Sequence, residues 1–154
     1  RLKEPHQDEV LEAYKQNLDK MVKMAQAAGI KVYLLAPTVI EENAKSEGNL
    51  RLARYVEAGK QVARQNNATY VDLHALMLNA IKKWRGRHPA GKTATRPINF
   101  FTTDGVHMKP LGDGVMAAGI LRALGVPDQK IAATDTMALL RKKASAGTRP
   151  AGNK

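Results

Sequence analysis

Residues 14–37 read YKQNLDKMVKMAQAAGIKVYLLAP, and the architecture follows from this stretch. Its second half, KVYLLA over residues 31–36, is almost unbroken apolar sequence. It is too continuous for a half-exposed strand and short enough for a strand covered on both faces, as parallel strands are. Its first half belongs to an amphipathic helix over residues 7–28. Val10, Leu11, Tyr14, Leu18, Met21, Val22 and Ala25 recur at three- and four-residue steps, with Lys and Glu between them. Gly29 suits the left-handed residue that stops such a helix. Pro37 closes the strand. Helix, tight glycine turn and buried strand together make a unit of a parallel sheet with helical crossovers.

Further along, residues 38–48 form an acidic, polar connector. A second helix fits residues 49–66, with Leu50, Ala53, Val56, Val62 and Ala63 apolar and Asn66-Asn67 closing it. Residues 69–73 (TYVDL) make another short strand, and a helix over residues 74–84 carries Leu76, Met77, Ala80 and Ile81. A long basic loop follows, then a helix over residues 109–124. This order implies parallel strands joined by helices. Two strands are too few, because the apolar strand at 31–36 would leave an edge open to aggregation. The sequence therefore predicts that more of the sheet comes from outside these 154 residues. Pro127-Asp128 opens a helical extension over residues 127–143. Residues 144–154 are small, polar and cationic, and read as a disordered tail.

The net charge of +11 suggests nucleic acid until it is mapped. Lys82, Lys83, Arg85, Arg87, Lys92 and Arg96 cluster without an acid in the loop, and Arg141, Lys142, Lys143, Arg149 and Lys154 in the tail. These account for the whole excess. Aromatic residues are only 5%, so the basic face with base-stacking rings of a nucleic-acid binder is missing. The absence of cysteine excludes disulfides and thiolate metal sites and fits a reducing or an oxidising compartment. No apolar run is long enough to span a membrane. The first residues, Arg-Leu-Lys-Glu, lack Met, which predicts a missing N-terminal portion and leaves the compartment open, secreted and periplasmic settings included.

The chemistry gathers at residues 101–112, FTTDGVHMKPLG. Asp104 stands three residues before His107, so a turn can set the carboxylate beside the ring. A serine hydroxyl becomes a nucleophile when an imidazole accepts its proton. A carboxylate on the second ring nitrogen fixes the tautomer and stabilises the imidazolium. Gly105 frees the backbone between them, and Pro110 fits the first turn of the next helix. The alternative for this spacing is an Asp that caps the helix beside a solvated His. The only serines are Ser46 and Ser145, neither at a strand-to-helix turn.

Residues 104–125, DGVHMKPLGDGVMAAGILRALG, resemble the last conserved block of the SGNH hydrolases, the GDSL-type esterases and lipases. Residues 14–37 and the TYVDL strand are similar to the elements that precede that block. The resemblance extends over about residues 8–126. It implies a flavodoxin-like three-layer α/β/α parallel sheet of the SGNH hydrolase type, incomplete in this chain. Residues 1–126 would be the C-terminal portion of the hydrolase domain. His107 would be the general base and Asp104 its partner, acting on carboxylic or acetyl esters without metal or organic cofactor. The blocks that carry the family's nucleophilic serine and its oxyanion-hole Gly and Asn are absent. A missing N-terminal segment or a second chain would supply them, and the substrate would be a small-molecule or carbohydrate ester.

Two further residues enter as candidate substrate contacts. Thr38 lies just past the first strand, where an acyl group would sit. His74 follows the second strand, at the carboxyl end where open α/β sheets bind ligands. The plainer readings are a loop residue after Pro37 and a helix-start residue. Asp72 reads as a structural pairing residue. Trp84 anchors a helix to the core or packs on a sugar ring or lipid chain. His6 and His88 read as solvated, and no two histidines have the helical spacing of a zinc site. The basic loop either borders the site and favours anionic substrates, or is a solvated insertion. Two other readings compete with the hydrolase: a non-catalytic SGNH-like binding module and a polyanion-binding basic protein.

Overall fold

A computed structural model describes residues 4–87 and 99–133. In chain order the elements are α1 (Glu4–Ala27), β1 (Tyr33–Leu35), α2 (Glu47–Gln65), β2 (Thr69–Val71), α3 (Leu73–Arg87), α4 (Pro110–Ala123) and α5 (Asp128–Ala133). β1 and β2 pair in parallel, with Tyr33 opposite Thr69 and Leu35 opposite Val71. Side chains alternate across a strand, so β2 sorts the helices into layers. The Tyr70 ring reaches Gly59 of α2, and its hydroxyl donates to the Val56 carbonyl at 2.8 Å. α1 packs on α2 through an edge-on contact of Tyr14 with Tyr55 at 5.2 Å. α3 packs on α4, and α4 packs on β2. The result is helices, a small parallel sheet, and helices again.

Local chemistry accounts for the boundaries. Gly29 ends α1 at φ 75°, a conformation open to glycine at little cost. Ser46 caps α2 by accepting the Asn49 N–H at 3.2 Å. Asp72 leaves the sheet earlier than its sequence suggests. Its Oδ1 accepts the Ala75 N–H at 2.9 Å, so it caps α3 rather than extending β2. α3 then runs on to Arg87, with Arg85 and Arg87 at the end where the helix dipole favours cations.

β1 departs from the expected burial on both faces. Leu35 is 45% exposed, and Tyr33 and Leu34 are half-buried. The reason lies in the layers: α2 packs on both strands, whereas α4 packs on β2. Among the described residues β1 is hydrogen-bonded to β2 alone, so its other edge is open.

The core lies between α3, α4 and the loop that joins them. Val39, Met77, Ile81 and Phe101 are buried there, with Trp84, Phe100, Met108 and Leu111 packed around them. The Trp84 ring stands 5.7 Å from Phe100 and 6.2 Å from Phe101, so it ties α3 to the loop. Among the described residues no helix is long and apolar enough to cross a membrane. Residues 88–96 of the basic loop, the rest of the expected helix to residue 143 and the tail 144–154 lie outside the described residues.

Candidate active site

The segment 99–109 folds back on itself before α4 begins. Thr102 bridges to Met108 in antiparallel fashion. The Thr103 N–H donates to the His107 carbonyl at 2.7 Å, and the Lys109 N–H to the Phe101 carbonyl at 2.8 Å. Gly112, in the first turn of α4, lets the helix close on this base: a Cβ there would lie 2.4 Å from the Phe101 carbonyl oxygen. Phe101 and Thr102 are buried, whereas the tip at residues 103–107 reaches solvent apart from Gly105.

Asp104 organises the tip. Its Oδ1 accepts the N–H groups of Val106 at 3.0 Å and His107 at 2.9 Å, a turn in which a carboxylate takes the place of a carbonyl. Its Oδ2 lies 2.7 Å from His107 Nδ1. The backbone N–H of His107, the ring of His107 and the Val106 N–H together hold the Asp104 carboxyl well below the usual range. The carboxylate is thus an anion across ordinary pH, and Nδ1 carries the proton it accepts. The lone pair is left on Nε2, the nitrogen a general base uses. The His107 side chain is 81% exposed, so the ring is open to a partner.

The connector 38–48, read from sequence as an acidic, polar link, supports this tip from below. The Glu41 N–H donates to the Gly105 carbonyl at 2.7 Å. Gly105 has φ 100°, and a Cβ there would meet Glu41 backbone at 3.2 Å. Glu42 is buried, at 2% exposure. Its Oε1 accepts from Phe101 N at 2.6 Å, Thr102 N at 2.8 Å and Thr102 Oγ1 at 3.0 Å, and its Oε2 from Phe100 N at 3.0 Å. The connector is pinned in turn by Asn49 of α2. Asn49 Oδ1 accepts from Ile40 N at 2.8 Å, and Nδ2 donates to the carbonyls of Glu41 at 3.0 Å and Asn43 at 2.7 Å. Sequence reasoning missed Glu42 and Asn49. The sole local signal was the Ser46 cap, which fixes where α2 starts but not what the connector touches.

Thr38 and His74 are brought together. His74, buried at the start of α3, places Nδ1 2.5 Å from the Thr38 carbonyl. Thr38 is half-buried beyond the carboxyl end of β1. Ser46 is engaged elsewhere, since its hydroxyl donates to the Ile40 carbonyl at 2.9 Å. Ser145, His88 and the side chain of His6 lie outside the described residues. Among the described residues no group of three His, Asp or Glu side chains is placed to hold a metal ion.

Comparison with known proteins bears on the family and the fold. The GDSL-like lipase/acylhydrolase family model matches residues 4–114. Among solved structures, the acetyl xylan esterase AlAXEase superposes with a TM-score of 0.64 at 21% identity, over 73% of this chain and 55% of that one. A catalytic mutant of Axe2, an acetylxylan esterase from Geobacillus stearothermophilus, gives 0.61 at 23% identity, over 76% and 48%. LAE5, an alpha/beta hydrolase from the metagenome of Lake Arreo, gives 0.57 at 23%, over 75% and 48%. The chain spans about half the length of these structures. No curated protein matches it.

Proposed function

The chain belongs to the GDSL-like lipase/acylhydrolase family, and from that premise we propose that it supplies the acid–base half of a serine-dependent ester hydrolase. The observation that carries this reading is the 2.7 Å bond between Asp104 Oδ2 and His107 Nδ1 beside an exposed imidazole. Asp104 holds the ring with its lone pair on Nε2. That nitrogen takes the proton of a serine hydroxyl, and the oxygen attacks the ester carbonyl. The imidazolium, stabilised by Asp104, gives its proton to the departing alcohol. Water, deprotonated at the same nitrogen, then releases the acid from the acyl-enzyme.

The nucleophile and the oxyanion-hole donors come from polypeptide outside these 154 residues, a preceding segment or a second chain. The engagement of Ser46 with Ile40 and Asn49 supports this. Acetylated carbohydrates and short-chain esters are the substrate class, in line with the esterases that share the fold. Thr38 is the candidate substrate contact at the end of β1, and His74 holds its backbone in place.

The test is acetyl-ester hydrolysis by the full-length gene product. His107→Ala should lower kcat by about 10⁶ while leaving the circular dichroism spectrum unchanged. A serine-directed phosphonate should label the full-length protein and fail to label this chain. Undiminished turnover in the His107 variant would reject the assignment.

A further inference from the structure

We propose that Glu42 is a positioning residue for the Asp104–His107 pair. It acts through the backbone that carries them and does not itself touch substrate. A carboxylate buried to 2% exposure loses its hydration, and it persists only where donors replace the water. Glu42 has no cationic partner among the described residues. Four donors surround it, and all four belong to Phe100, Phe101 and Thr102, lying 58 to 60 residues further along the chain. A charged acceptor makes each of these bonds stronger than a neutral one would be. A merely structural side chain could anchor the segment anywhere. This one grips the three residues that lead into Thr103 and the Asp104 turn.

The same connector holds the far side of the turn, through the Glu41 N–H and the Gly105 carbonyl at 2.7 Å. Entry and tip are therefore referred to one platform, itself fixed to α2 by Asn49. Such support decides how often the exposed imidazole stands where a serine can use it, because a base displaced by an ångström loses much of its rate. Glu42→Gln keeps the shape and one good acceptor. Its amide N–H groups oppose one of the backbone donors, so the grip is weakened without a cavity being made.

The proposal rests on the hydrolase reading only for its kinetic arm. In the full-length gene product, Glu42→Gln should lower kcat roughly 10- to 100-fold with KM changed less than about twofold, since binding contacts are untouched. In the same full-length protein, amide hydrogen exchange at Val106 and His107 should quicken at least about tenfold, while amides of α2 and α3 keep their rates. Thr102→Val removes one donor isosterically and should show both effects more weakly, which serves if Glu42→Gln does not fold. If exchange at Val106 and His107 is unchanged in a folded variant, or quickens equally everywhere, Glu42 is not a positioning residue. A full-length protein without esterase activity would sink the hydrolase reading and leave the exchange result standing.

Discussion

Two carboxylates in this molecule do opposite things with similar chemistry. Asp104 satisfies itself within three residues of chain, in solvent, and ends with an imidazole held at 2.7 Å. Glu42 is buried and satisfies itself on backbone 58 to 60 residues away. The first is a small, local device whose loss should leave the fold alone. The second is a long-range clamp between the β1–α2 connector and the segment before α4. The difference separates what makes a residue reactive from what keeps it in place. An exposed pair gives access to substrate, and a buried anion gives the rigidity that exposure forfeits.

On this comparison the largest effect is expected from Asp104→Asn. The amide oxygen can keep the bonds from the Val106 and His107 N–H groups, so the turn should survive. The amide N–H₂ now faces Nδ1, which must accept instead of donate, and the proton moves to Nε2. The ring then holds no lone pair where a serine needs one. We expect kcat of the full-length protein to fall by about 10⁴ with an almost unmoved urea midpoint. Asn49→Ala should behave in the reverse sense. It strips bonds from Ile40, Glu41 and Asn43 beneath the connector. About 2–4 kcal/mol of stability should be lost in urea unfolding, at about 0.5–1.5 kcal/mol for each of the three bonds removed. A stability change in Asp104→Asn as large as that in Asn49→Ala would erase the distinction.

Legibility in the sequence divides along the same line. Features closed over a few residues could be read: the apolar stripe of α1, the left-handed Gly29, the KVYLLA strand, Pro110 at the start of α4, and Asp104 spaced for His107. Each rests on local geometry, which spacing and residue type express directly. Glu42 and Asn49 could not be read, because a glutamate in the stretch Ile40-Glu41-Glu42-Asn43 looks like a solvated loop acid. Only the fold brings Phe100 to Thr102 against it. The exposure of Leu35 was hidden for a related reason, since it depends on which helices cover β1 and not on the strand's own composition. The bond from His74 to the Thr38 carbonyl likewise joins residues 36 apart.

The smallest effect concerns acid. The Asp104 carboxyl is held below its ordinary range in the folded protein, chiefly by the His107 N–H, then by the His107 ring and the Val106 N–H. A carboxyl whose folded pKa is depressed contributes stability above its unfolded value, near 3.9 for Asp. That contribution fades as pH falls toward the folded value. The turn should therefore hold unchanged from neutrality down to about pH 4 and loosen only below it. Hydrogen exchange at Val106 and His107, corrected for intrinsic rates, reads this directly. Protection at those two amides should decline below about pH 4 in the parent and stay flat in Asp104→Asn, whose side chain has no proton to gain. Because Asp104 is exposed, the decline should be confined to the turn, with α2 and α3 protected throughout. If protection at the two amides instead declined well above pH 4, the turn would not be answering to the carboxylate, and the local device would need a different account.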